Sequence, residues 1–80
     1  MVKEAILDDE ALFKLALMNL IDQELQQRFR TVQAAADFAD VDTFRLHRFR
    51  AKQHDQFSLG WIFNLARAAK IRIRIHIERA

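Results

Sequence analysis

The stretch Thr31–Arg50, TVQAAADFADVDTFRLHRFR, decides how this chain folds. Thr31 is an N-cap candidate, because its hydroxyl can accept a backbone N–H that the first turn of a helix leaves unpaired. The following VQAAADFA predicts a short helix with Ala35, Phe38 and Ala39 on one face. Its alanines let another helix approach closely. Asp40-Val41-Asp42 predicts a tight turn, with the lone apolar Val41 pointing inward. Asp42 then caps a third helix, TFRLHRFR. Leu46 and Phe49, spaced i and i+3, face the core, which leaves Thr43, Phe44, His47 and Arg48 on other faces. From Asp40 to Lys52, four cations and a histidine surround two phenylalanines.

Upstream, a first helix is predicted from about Asp9 to Phe29. Phe13, Ala16, Leu17, Leu20, Ile21 and Leu25 recur at helical spacing, with polar residues between them. Asp8, Asp9 and Glu10 suit the positive end of that helix's dipole, and Arg28 and Arg30 its negative end. Downstream, AKQHDQ (51–56) reads as a loop. Ser58 caps a fourth helix, LGWIFNLARAA, and Phe57 and Ile62 match a hydrophobic staple around it. Leu59, Ile62, Phe63, Ala66 and Ala69 form one apolar face of this helix, and Trp61, Leu65 and Ala68 a second. Apolar surface on two sides makes Trp61 and Leu65 candidates for a dimer seam, or else for the core of the chain itself.

The period changes in KIRIRIHIERA. Ile71, Ile73, Ile75 and Ile77 alternate with Arg72, Arg74, His76 and Glu78, the pattern of a β-strand over residues 71–78. A lone strand in a helical chain lacks a hydrogen-bonding partner, and an exposed strand edge invites another chain. The simplest expectation is an antiparallel ribbon with a second copy, so that Ile71, Ile73, Ile75 and Ile77 join the dimer interface.

Eighty residues make a single domain, 1–80. A chain of this length removes only ~60% of its unfolded surface from water on folding, while 51% of its residues are hydrophobic. Dimerisation relieves that excess. No cysteine is present, so disulfides and cysteine metal sites are excluded. No apolar run approaches the ~20 residues of a membrane span, and the acidic MVKEAILDDEALFK does not suit a targeting peptide. A cytoplasmic protein is the expectation. Residues 1–27 carry two cations against six acids, residues 28–52 six against three, and residues 53–80 five against two. This asymmetry points to a polyanionic partner, or simply to an acidic helix beside basic ones.

The short helix, Asp-Val-Asp turn and basic helix have the spacing of a helix-turn-helix. Over Thr31–Leu59 the chain resembles the HigA-like antitoxin branch of the Xre/Cro-type regulators, through Thr31, Ala35, Ala36, Val41, Arg45, Arg48, Asp55, Phe57, Ser58 and Leu59. ALFKLALMNLIDQEL is similar to the first helix of that family, and the alternating strand also has its counterpart. The chain departs from the family where it has Asp40, Lys52 and Lys70 in place of glycines.

The resemblance implies a mostly α, four- to five-helix lambda-repressor-like domain, with a C-terminal strand pairing in a homodimer. It implies a DNA-binding transcriptional regulator, an antitoxin-type autorepressor, with double-stranded DNA, a second copy and a toxin protein as partners. Thr43, Phe44, His47 and Arg48 then occupy the base-reading positions. Gln33, Arg45, Arg50 and Lys52 are candidates for phosphate contacts, and Arg72 and Arg74 for either phosphate contact or a solvated ribbon face. The competing expectation is a protein–protein module, in which the exposed Phe44 meets a toxin or regulator. The histidines His47, His54 and His76 have no zinc-site spacing, and no catalytic constellation is evident. Neither an enzyme, a metal site nor a cofactor is expected.

Overall fold

A single helix, α1 (Val2–Arg28), runs beside three shorter ones, α2 (Val32–Ala39), α3 (Thr43–Arg50) and α4 (Leu59–Ala68). A computed structural model of the chain describes residues 2–74, and the side chains of residues 10–74. The domain is mostly helical, with no strand among the described residues. Among the same residues, no helix is long and apolar enough to cross a membrane.

α1 begins two turns earlier than the caps suggest. No proline or glycine interrupts Val2–Glu10, and its Ala, Leu, Glu and Lys are strong helix formers. Asp8, Asp9 and Glu10 therefore stand inside the helix and not at its positive end. Leu17, Met18, Ile21 and Leu25 are the α1 residues that enter the core. Phe13, Ala16 and Leu20 share the helical spacing but face outward, because α1 carries apolar residues on more than one side.

The core closes over α1 with Ala35, Ala36 and Ala39 of α2, Leu46 and Phe49 of α3, and Ile62, Leu65, Ala66 and Ala69 from α4 and its end. Phe38, expected beside Ala35 and Ala39, is half-exposed and leans on Phe29, their ring centroids 5.2 Å apart. Phe49, Phe57 and Trp61 form an aromatic group, with Phe57 and Trp61 4.7 Å apart and Phe49 edge-on to Phe57 at 5.7 Å. Such pairs add about 0.5–1.5 kcal/mol beyond their buried area.

The helix starts follow the capping chemistry, with one exception. Thr31 Oγ1 accepts from the Ala34 N–H and Ser58 Oγ from the Trp61 N–H, both at 3.0 Å. Phe57 and Ile62, on either side of the Ser58 cap, are both buried. Asp42 holds the extended cap backbone, but its side chain makes no capping bond. Within the 51–56 loop, His54–Gln56 form one turn of 3₁₀ helix.

All three short helices end in the same way. Asp40 (φ 57°), Lys52 (φ 62°) and Lys70 (φ 61°) adopt the left-handed conformation. The N–H of each bonds three residues back, and the next N–H reaches five back: Val41 to the Ala36 carbonyl (3.0 Å), Gln53 to Arg48 (3.3 Å), Ile71 to Ala66 (2.8 Å). This paired closure satisfies carbonyls that a helix end leaves free, and it normally places glycine at the left-handed residue. The Nη1 of Arg28 adds bonds to the carbonyls of Ala69 (3.1 Å) and Lys70 (3.3 Å), tying the end of α1 to the end of α4.

Two expectations for the dimer interface change. Leu65 is buried within the chain's own core, so it is not part of a seam with another copy; Trp61 is partly buried against Phe49 and Phe57. Residues 71–74 form no strand, since a ladder needs a second backbone and none pairs with them among the described residues. Ile71 and Ile73 instead pack against the core's edge. Ile75, Ile77 and the rest of the expected strand lie outside the described residues.

Candidate nucleic-acid interface

α3 is amphipathic in a narrow sense: only two of its eight residues enter the core. Leu46 and Phe49 are fully buried. Phe44, His47 and Arg48 are exposed and Thr43 is partly so. The four candidates for base reading are therefore brought together on one short helix, with Phe44 at 76% exposure the most open large apolar side chain described. Arg48 makes no ion pair among the described residues.

Gln33 joins this face from α2. Thr43 Oγ1 donates to Gln33 Oε1 at 3.1 Å, and Gln33 Nε2 donates to Asp37 Oδ1 at 2.9 Å. This chain of bonds spans the turn and fixes the Gln33 amide, which keeps one N–H for an outside acceptor.

The other cations in and just after α3, namely Arg45, Arg50 and Lys52, have partners within the chain. The guanidinium of Arg45 lies 5.1 Å from the Phe57 ring centroid and 5.0 Å from that of Trp61. Its Nε is buried without a hydrogen-bond partner, which the two ring faces offset through cation–π attraction. Arg50 and Lys52 converge on Asp22 of α1: Arg50 Nε is 3.2 Å from Oδ1, and Lys52 Nζ is 3.0 Å from Oδ2. The Arg50 contact has the distance of an ion pair without hydrogen-bond alignment, since Oδ1 has no hydrogen-bond partner. Gln26 Nε2 also donates to Oδ2, at 3.0 Å.

Asp22 is only 5% exposed, the one buried charged residue described. A buried carboxylate is tolerated when cations and hydrogen bonds compensate its lost hydration. Two cations here do so, and in return Asp22 fixes the C-terminal end of α3 to α1. Reading α1 by its apolar period leaves Asp22 among the polar residues. Its spacing betrays it: it lies four residues after Met18 and three before Leu25, on the buried stripe. Of the expected phosphate-binding residues, Gln33 bonds to the base-reading set through Thr43, and Arg50 stays exposed while it pairs with Asp22. Arg72 and Arg74 are exposed beside α1, away from α3.

Compared with known proteins, the chain matches no family model, no curated protein and no solved structure.

Proposed function

We propose that the chain is a sequence-specific DNA-binding regulator. In this reading α2, the turn and α3 form a lambda-repressor-like helix-turn-helix, with α3 entering the major groove. The chain acts as a homodimer and represses its own operon, as antitoxins of the type it resembles do. The observation that carries the reading is the outward face of α3, where Thr43, Phe44, His47 and Arg48 are presented while Leu46, Phe49 and the Asp22 contacts hold the helix from behind. The left-handed residues Asp40, Lys52 and Lys70 add support. They fall at the three positions where the resembling family has glycine, so the backbone keeps the shape although the residue has changed.

The roles follow from chemistry. Arg48 pairs with the O6 and N7 of a guanine, Phe44 meets a thymine methyl, and Thr43 and His47 donate to base edges or phosphate. Gln33 holds phosphate. Arg45, Arg50 and Lys52 act through the fold by fixing α3. Two copies of α3 read half-sites ~34–36 Å apart. Titration of the duplex upstream of the gene by fluorescence anisotropy tests this across a salt series. Affinity falls steeply with salt for a protein that displaces phosphate counterions. Arg48→Ala relaxes the choice at one base pair by about 1–3 kcal/mol. Absence of salt-sensitive binding to any duplex ends the proposal.

Phe44 favours a second reading, a protein–protein module whose partner is a toxin or regulator. A large exposed aromatic on a helix is a typical contact for a protein partner. Co-purification of a neighbouring gene's product, lost in Phe44→Ala and kept in Arg48→Ala, separates this reading from the first.

A further inference from the structure

Between Glu10 and Ala16, α1 contributes nothing to the buried core. At 27 residues α1 is roughly 40 Å long, yet among residues 10–16 none is buried. Its apolar residues continue nonetheless. Leu12 is 62% exposed, Phe13 39% and Leu20 63%, with Ala16 also open between them. Phe13, Ala16 and Leu20 follow the three-and-four spacing of a helix–helix seam. Leu12 and Leu20 stand four residues to either side of Ala16, whose small side chain permits close approach.

This stripe runs into a groove. Leu17, Leu20 and Ile21 of α1 line it together with Ile71 and Ile73, in a volume of about 440 Å³. Leu20 belongs to both stripe and groove. The rim carries Arg28, Arg72 and Arg74 against a single acid, Glu24, and Arg28 already neutralises that acid at 2.9 Å. The opposite end of α1 has the complementary charge: residues 2–10 contain Glu4, Asp8, Asp9 and Glu10 against the single cation Lys3.

We infer that a second copy of this chain covers the outer face of α1, the two α1 helices packing antiparallel about Ala16. Leu12 of each copy then meets Leu20 of the other, and the acidic start of each α1 enters the groove of the other beside Arg72 and Arg74. The contact is self-complementary, as a two-fold interface requires. Ile71 and Ile73 thereby form one wall of a helix-lined groove. The inference rests on the homodimer of the proposed function and supplies its seam; it does not depend on what α3 contacts.

Analytical ultracentrifugation of the full chain without DNA tests it through a charge swap. One variant carries Asp8→Lys, Asp9→Lys and Glu10→Lys; the other carries Arg72→Glu and Arg74→Glu. Each alone places like charges at both ends of the seam and raises the dimer dissociation constant about tenfold or more. Mixed in equal amounts, they restore attraction at both ends, and dimers return as a heterodimer. A misfolded chain cannot be rescued in this way. Leu20→Glu abolishes the dimer while circular dichroism of the monomer is unchanged, because Leu20 lies outside the core. A wild-type dimer indifferent to these variants, or a mixture that stays monomeric, overturns the seam alone. A wild-type chain monomeric at every soluble concentration overturns both the seam and the homodimer.

Discussion

Two phenylalanines on α3 lie one and a half turns apart and have opposite surroundings. Phe49 is 0% exposed, edge-on to Phe57, whereas Phe44 is 76% exposed. The cations of the same helix divide in the same way: Arg48 faces solvent, while Arg45 and Arg50 hold on to the aromatic group and Asp22. In eight residues the chain separates what fixes the helix from what the helix can offer a partner. Residue type does not make this division, since both sides contain Phe and Arg; rotation about the helix axis does. The widest gap should appear in stability. Phe49→Ala costs about 3–5 kcal/mol through lost transfer energy and a residual cavity. Phe44→Ala stays within about 0.5 kcal/mol, as for other surface changes. Urea melts of both variants check this, and a large loss in Phe44→Ala breaks the comparison.

Asp22 sharpens the same contrast among the charges. Asp22→Asn leaves Arg50 and Lys52 beside a neutral amide. Fully buried pairs lose about 3–5 kcal/mol when one member is removed. Here Arg50 and Lys52 keep 37% and 29% of their side chains in solvent, so rehydration reduces the loss to about 1–3 kcal/mol. Thermal unfolding then shifts by roughly 4–8 °C per kcal/mol for a domain of this size. Arg48→Ala, on the outward side, leaves the midpoint where it is.

Much of the fold was legible because its signals are local. Thr31 and Ser58 cap the helices they precede, and Leu46 and Phe49 enter the core as their spacing implies. The inward side of α1 was not legible. Leu12, Phe13, Ala16 and Leu20 repeat as regularly as Leu17, Met18, Ile21 and Leu25, and a period cannot say which of two stripes meets the core. The partners of the cations in and just after α3 were not legible for a related reason. Arg45, Arg50 and Lys52 read as phosphate contacts because they lie near Arg48 in sequence. Their actual partners, Phe57, Trp61 and Asp22, lie 12 to 30 positions away, beyond any local pattern. The strand expected from Ile71 depends on a partner backbone that a single chain cannot supply.

The smallest effects concern the three left-handed helix ends and test how closely backbone shape and side-chain chemistry are tied. A non-glycine residue there carries roughly 1–2 kcal/mol of steric cost, while glycine in its place loses about 0.4–1 kcal/mol through the freer unfolded chain. Lys70 is exposed and contributes only its backbone to Arg28, so Lys70→Gly stabilises by about 0.5 kcal/mol. Asp40→Gly gains less, since Asp tolerates this conformation better than most residues. Lys52→Gly gains nothing or loses, because its Nζ leaves Asp22 and the Arg50 carbonyl. The chain's one glycine, Gly60, lies in α4 without a positive φ, and a Cβ there meets nothing nearer than Ser58 Oγ at 3.8 Å. Gly60→Ala therefore stabilises by about 0.5–1 kcal/mol. The four variants, ranked by denaturant midpoint, should run Gly60→Ala, Lys70→Gly, Asp40→Gly, Lys52→Gly. A Lys52→Gly chain as stable as Lys70→Gly would show that the Asp22 contact adds nothing, and the division drawn across α3 would then rest on packing alone.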